Sequence, residues 1–156
     1  MNKIRKANVE DAATLTDIAF KAKGKGYWGY SADFMNAWKD VLTITVDDIQ
    51  SKVIYLLEED KAIKGFYCLC IETKELESLF VAPTYIGEGL GKVLWTDILL
   101  KATEYGLSSF HFNSDPNAYE FYIKMGANRI IYVESTVIPG RIYPLMEYTL
   151  THLQPK

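Results

Sequence analysis

The strongest chemical signal in the sequence is a glycine-rich segment that follows an apolar strand and precedes a helix. Glycines alternate at positions 87, 89 and 91, shortly after the strand predicted over residues 76–81. Glycine permits positive φ angles and close approach of a ligand to the backbone, and the free N–H groups at a helix N-terminus bind anions. We therefore expect a phosphate-bearing ligand here, the alternative being a tight turn that binds nothing.

Two common phosphate-binding patterns do not fit this segment. A P-loop would require glycine at position 86 and serine or threonine at position 93, where the sequence has Ile86 and Val93. A dinucleotide fingerprint would require a further glycine where Lys92 stands. Residues 24–29 do match G-x-G-x-x-G, but they follow a predicted helix rather than a strand, which argues against a nucleotide site there.

Two segments resemble the motifs of one enzyme family, the GCN5-related N-acetyltransferases (GNAT). Residues 81–92, V-A-P-T-Y-I-G-E-G-L-G-K, resemble its coenzyme A loop, V-x-P-x-[YF]-[RQ]-G-x-G-[IL]-G. Residues 115–127, D-P-N-A-Y-E-F-Y-I-K-M-G-A, resemble its N-x-x-A-x-x-[FL]-Y-x-K-x-G-[FA] region. The close resemblance covers residues 75–127. It implies an α/β (α+β) domain with the GNAT acyl-CoA N-acyltransferase fold, in which helices flank a mixed, mostly antiparallel sheet.

The resemblance also implies acetyl-CoA (coenzyme A) as cofactor and a primary amine as acetyl acceptor. It assigns the following residues to cofactor binding: Phe80, Val81, Ile86, Gly87, Glu88, Gly89, Leu90, Gly91, Lys92, Asn117, Tyr119 and Lys124. Position 86 departs from the family, which usually has Arg or Gln there, because Ile86 offers neither charge nor a side-chain hydrogen bond. We expect the backbone N–H groups, helped by Lys92, to hold the cofactor with reduced affinity.

Four side chains are candidates for the proton transfers of acetylation. An alkyl amine has a pKa near 10.4, so only about one molecule in ~2,500 is neutral at pH 7. Forming the neutral, nucleophilic amine therefore costs roughly 4–5 kcal/mol unless a base assists. The resemblance places Tyr122 beside the cofactor sulfur as general acid, with Tyr119 as its competitor. It places the base on the strand before the loop, at Glu77 or Glu75. Glu77 is ranked first because it lies nearer the loop. The alternative is that both glutamates are surface charges without a catalytic role.

The acceptor pocket is expected in the aromatic N-terminal third of the chain. The resemblance puts Tyr27, Trp28 and Tyr30 there, followed by Phe34 and Trp38. Aromatic rings bind cations, so a small cationic amine is the preferred acceptor, with a protein or peptide amine as the rival. A loop with Arg141 is available to meet a substrate carboxylate. The alternative from another class is a non-catalytic acyl-CoA-binding sensor, which the departure at Ile86 keeps open.

Local patterns predict the elements that must position these residues. Asn8, Ser31 and Thr45 are predicted to cap three helices, the first of which runs to about residue 22. Asn117 is predicted to start a short helix. Strands are predicted over residues 4–6, 53–58, 62–72, 76–81, 109–113, 129–137 and 143–150.

Composition narrows the possible partners. The chain has 156 residues and a net charge of -3, which predicts one domain over residues 1–156 and argues against a nucleic-acid partner. No apolar run suits a membrane span or a secretory signal. Cys68 and Cys70 are taken as reduced core residues of a cytoplasmic protein, and no metal site is expected. A homodimer through the C-terminal strands is common in the family and is expected here only by that resemblance.

Overall fold

The computed structural model describes residues 2–24 and 30–150. Its seven strands form one sheet in the order β1-β2-β3-β4-β5-β7-β6. The strands are β1 Lys3–Lys6, β2 Val53–Glu59, β3 Ala62–Cys70, β4 Glu75–Val81, β5 Ser109–Asn113, β6 Asn128–Glu134 and β7 Ile142–Thr149. The α-helices are α1 Ala12–Lys23, α2 Ala32–Leu42, α3 Val46–Ser51, α4 Leu90–Glu104 and α5 Tyr119–Lys124.

The sheet is mixed, since every described strand pairing is antiparallel except that of β4 with β5. That parallel pairing consists of one register pair, Glu75 with His111. Beyond it the two strands form no further ladder, so the sheet opens between their C-terminal ends. The predicted fold class, a mostly antiparallel sheet flanked by helices, is confirmed.

Alternation of side chains along the central strands supplies a core on each face of the sheet. Leu56 and Phe66 face α1 and α2, whereas their chain neighbours Leu57 and Tyr67 face α4 and α5. Both faces are therefore covered by helices, which explains why β2 and β3 are apolar almost throughout rather than at every second position.

The predicted helix caps are formed by side chains as expected. Asn8 accepts a hydrogen bond from the backbone N–H of Glu10 and opens a 3-10 turn that leads into α1. Ser31 accepts from Phe34 N at 3.2 Å, and Thr45 forms a capping box with Asp48.

The predicted start of the last helix, at Asn117, is wrong because the capping residue lies two positions earlier in the chain. Asp115, rather than Asn117, accepts the capping hydrogen bond, from Asn117 N at 2.9 Å. A 3-10 turn over Pro116–Ala118 then precedes α5. Two neighbouring residues with capping side chains, separated by a proline, cannot be ranked from sequence alone.

None of the described helices is long and apolar enough to cross a membrane. No cluster of potential metal ligands occurs in the described parts of the chain. Cys68 and Cys70 are both buried and form no disulfide.

Candidate active site

A cavity of about 620 Å³ occupies the opening between β4 and β5. One wall consists of β4 from Glu75 to Val81, and the opposite wall includes Phe112, Asn113 and Tyr122. The glycine loop and the first turn of α4 close one end. Residues of α1 and α2 and of the segment after β6 surround the other end. The cavity is thus built by the divergence of two parallel strands, the place where open sheets with parallel strands bind ligands.

The glycine loop presents backbone N–H groups to this cavity. Gly87 and Gly89 have φ angles of +93° and +78°, a backbone conformation that residues with a Cβ atom rarely adopt. Gly89 is the N-cap of the fifteen-residue helix α4 and provides no side-chain cap, so the N–H groups of the first helical turn lack intrahelical acceptors. An added Cβ at Gly91 would come within 3.2 Å of the ring of Phe121, which shows how closely α5 approaches the loop. These features fit a pyrophosphate group.

The free edge of β4 faces the same cavity. Ala82 N donates to Lys64 O of β3 at 2.8 Å. Because successive strand residues direct their N–H groups to opposite edges, the N–H of Val81 points away from β3 and toward the opening. The register of β4 against β3 shifts between Leu76 and Ser78, which leaves Glu77 as the bulged residue. β4 therefore contains a β-bulge at Glu77.

Glu75 and Glu77 both line the cavity but differ in their partners. Glu77 Oε1 accepts a hydrogen bond from Lys52 Nζ at 2.7 Å and lies 3.7 Å from Cys68 Sγ. Glu75 forms no ion pair with the described residues. Partial burial, and after it the negative charge of Glu77, raise the pKa of the Glu75 carboxyl.

Tyr122 stands on α5 against the aromatic core. Its ring lies 4.5 Å from that of Phe112 and 5.8 Å from that of Trp95, centroid to centroid. Burial, and after it the charge of Asp115, raise the pKa of its phenol well above the ordinary value. The phenol therefore stays protonated at neutral pH while it lines the cavity.

A polar cluster around Asp115 lies at the end of the cavity that α1 and α2 border, the end where the acceptor is expected. Asp115 is ion-paired with Lys23 at 2.8 Å, and both side chains are only 7% exposed. The Tyr30 hydroxyl donates to Asp115 at 3.1 Å and accepts from Asn117 Nδ2 and from an Arg141 guanidinium nitrogen, each at 2.8 Å. We call these five residues the Asp115 cluster.

Most of the predicted site residues meet at this cavity. Those that line it are Glu75, Glu77, Phe80, Val81, Ile86, Gly87, Gly89, Leu90, Gly91, Lys92, Asn117 and Tyr122. Tyr30 reaches it through Asp115 and Asn117. Glu88, Tyr119 and Lys124 are not among the lining residues, and Glu88 instead lies 4.0 Å from Lys64. The predictions for Tyr27 and Trp28 lie outside the described residues.

Sequence reasoning missed the roles of Lys23 and Asp115 at the acceptor end. Asp115 was treated only as part of a motif, and Lys23 as the beginning of a loop. One signal was available: Lys23 follows Leu15 and Ala19 at helical spacing, on the apolar face of α1. A lysine on such a face needs a buried partner, although the sequence does not say which carboxylate supplies it.

Comparison with known proteins agrees with this geometry. Residues 29–135 match the model of the acetyltransferase (GNAT) domain, which is more than half of the chain. The chain therefore belongs to the GNAT family of acetyl-CoA-dependent acetyltransferases. A search of curated protein sequences found no significant match.

Solved structures share the fold at low sequence identity. PaiA N-acetyltransferase from Thermoplasma acidophilum, in complex with coenzyme A, superposes with a TM-score of 0.80 at 21% identity over 96% of this chain and 99% of that chain. A GCN5-related N-acetyltransferase from Rhodopseudomonas palustris gives 0.79 at 21% identity over 96% of each chain. The yncA protein from Salmonella typhimurium, with its cofactor acetyl-CoA, gives 0.70 at 19% identity over 100% and 98%.

Proposed function

We propose that the protein transfers the acetyl group of acetyl-CoA to the primary amine of a small molecule, an amine that is protonated and therefore cationic at neutral pH. The observation that carries this proposal is one cavity bounded by an N–H-rich glycine loop, a carboxylate without an ion-pair partner among the described residues, and a protonated phenol. These are the three functions that direct transfer from a thioester to an amine needs.

The glycine loop and the first turn of α4 would hold the pyrophosphate of the cofactor, which supplies an activated acetyl thioester. Lys92 adds positive charge at the loop, and Ile86 adds none. The N–H of Val81, at the free edge of β4, is positioned to stabilise negative charge on the thioester oxygen. Asn117 lines the same wall, and the bonds it donates to Tyr30 and Asp115 set its orientation.

Glu75 is a better candidate for the base than Glu77. Accepting a proton at Glu77 would break its 2.7 Å ion pair with Lys52. Glu75 has no such partner among the described residues, and its raised pKa brings its basicity closer to that of the amine. In the proposed reaction Glu75 takes a proton from the substrate ammonium, so that the neutral nitrogen can form the new C–N bond.

Tyr122 is the candidate acid. As the C–S bond breaks, the phenol donates its proton to the leaving sulfur and the acylated nitrogen loses its second proton to solvent. The phenolate is then reprotonated from solvent, and Glu75 returns its proton there. The raised pKa keeps the buried phenol protonated before the reaction, so its O–H is available as a donor when negative charge develops on the sulfur.

Release of free thiol from acetyl-CoA, measured against a panel of small amines, peptides and aminoglycosides, tests the proposal. We expect release stimulated by at least one small cationic amine. Stimulation only by peptides would show that the acceptor is a peptide or protein amine. Cofactor binding without stimulation by any amine would favour a non-catalytic acyl-CoA sensor.

We also propose that the protein forms a homodimer through β6. This strand lies at an edge of the sheet, and its side chains Ile131 and Tyr132 are 54% and 57% exposed. An apolar edge strand favours pairing with another strand. A single domain over residues 1–156 and a cytoplasmic location stay predictions.

A further inference from the structure

The Asp115 cluster contains more positive than negative charge. Lys23 and Arg141 are both cationic, and Asp115 is its one carboxylate. The ion pair of Lys23 with Asp115 at 2.8 Å matches one of the two positive charges. The charge of Arg141 is felt at Lys23, whose pKa is lowered by burial first and by Arg141 in addition, against the opposing effect of Asp115.

Arg141 has only neutral partners within the described structure. Its guanidinium donates to the Tyr30 hydroxyl at 2.8 Å and lies 4.8 Å from the ring centroid of Phe34 and 5.3 Å from that of Tyr143. Its Nε is buried and has no hydrogen-bond partner there.

Within the part of the chain that the structure describes, this partly buried guanidinium has no carboxylate partner. Such a charge is costly, because desolvation removes hydration that no counter-charge replaces. The cluster lies at the cavity, since its members Lys23, Asp115 and Asn117 line it. Arg141 lies behind this lining, against the ring of Tyr143, which also lines the cavity. An anion that entered from this end would meet the charge that Asp115 leaves unmatched.

We propose that Lys23 and Arg141 bind a carboxylate of the acceptor, so that the substrate is an amino-acid-like molecule that carries both an amine and a carboxylate. This inference rests on the proposed function. The substrate ammonium then faces Glu75 on β4 and its carboxylate faces the cationic cluster. A planar guanidinium suits a carboxylate because it can donate two parallel hydrogen bonds.

Matched pairs of amines test the proposal, each pair consisting of an amino acid and its decarboxylated counterpart: lysine with 1,5-diaminopentane, and phenylalanine with 2-phenylethylamine. In the pair that is acetylated faster, we expect kcat/KM for the amino acid to be at least about 10-fold higher than for its decarboxylated counterpart. This is the effect of one charge-assisted hydrogen bond. In Arg141→Gln this ratio should fall toward one, and Arg141→Lys should retain part of it. The control Arg129→Gln, an exposed arginine on β6, should keep the ratio.

Binding measured by saturation-transfer NMR separates this inference from the proposed function. If the amino acids bind the wild type and not Arg141→Gln but are never acetylated, the carboxylate site stands and the proposed function fails. If amines are acetylated without preference for the amino acid, or if Arg141→Gln keeps the ratio, the carboxylate site is overturned. Loss of acetyl-CoA affinity in Arg141→Gln with an unchanged acceptor ratio would also overturn it, and so would the absence of any amino-acid binding. Circular dichroism of each variant checks that it is folded.

Discussion

At the residue scale, the chemistry depends on how neighbours alter two similar carboxylates. Glu75 and Glu77 lie two positions apart on β4 and share the cavity, yet one is ion-paired and the other is not. Lys52 makes the difference, because it forms an ion pair with Glu77. Burial lowers the pKa of the Lys52 ammonium, but its hydrogen bonds to Glu77 and Asp48 raise that pKa by more. The ranking of Glu77 ahead of Glu75 from proximity to the loop is therefore reversed in our proposal.

Glu75→Gln should lower kcat/KM at pH 7 by about 100-fold, because the base that deprotonates the ammonium is lost. The wild-type profile should lose activity as pH falls through a pKa above the ordinary 4.5, since protonated Glu75 cannot accept a proton. This acid limb should be absent in Glu75→Gln. The matched variant Glu77→Gln should keep the limb, and a limb that disappears in Glu77→Gln instead would assign the base to Glu77.

Tyr122→Phe should reduce kcat by roughly 100-fold, because the thiolate then leaves without a proton donor. The Kd for acetyl-CoA should change little, as the ring and its packing against Phe112 are retained. Tyr119→Phe is the matched control, on the same helix but not in the cavity wall. Unchanged turnover of Tyr122→Phe, measured by thiol release, would contradict the assignment.

At the element scale, the junction of β4, the glycine loop and α4 forms the proposed cofactor site. The positive φ angles at Gly87 and Gly89 bend the chain so that the first turn of α4 faces the opening left by β5. The site consists of backbone groups, which explains how it tolerates an apolar residue at position 86. The side chain of Ile86 lines the cavity and is 40% exposed.

Ile86→Arg should therefore tighten cofactor binding. An arginine at this position can add a charge-assisted hydrogen bond to the pyrophosphate, which is worth about 10-fold in affinity. Calorimetric titration with coenzyme A measures the change, and Ile86→Leu serves as the neutral control. An equal Kd for the wild type and Ile86→Arg would show that position 86 does not face the phosphates.

At the scale of the whole molecule, the sheet has two edges with different character. The edge strand β1 carries Arg5, whose guanidinium is paired with Asp11 and Glu58, and such charges discourage edge-to-edge association. The other edge, β6, exposes Ile130, Ile131 and Tyr132. The difference between the edges favours association through β6.

Ile131→Lys should convert the proposed dimer to a monomer, because it places a charge in the middle of the edge strand. Light scattering after size exclusion measures the mass in solution. Leu100→Lys, on the exposed side of α4 and 53% exposed before substitution, is the matched control and should leave the mass unchanged. A monomeric wild type would contradict the dimer.

The sequence by itself determined the features that depend on local backbone chemistry. The helix caps at Asn8, Ser31 and Thr45, and the glycine loop that leads into α4, all follow from residues within a few positions of each other. The loop and the residues around Tyr122 also carried the resemblance that the family match confirms.

Only the tertiary structure decided how distant charges pair. Lys23 and Asp115 are 92 positions apart, Tyr30 and Arg141 are 111 apart, and Lys52 and Glu77 are 25 apart. Local propensity says nothing about such pairs, because their energy comes from burial that the folded sheet and its helices create together. The choice of candidate base and the cationic acceptor end therefore emerged only from the fold.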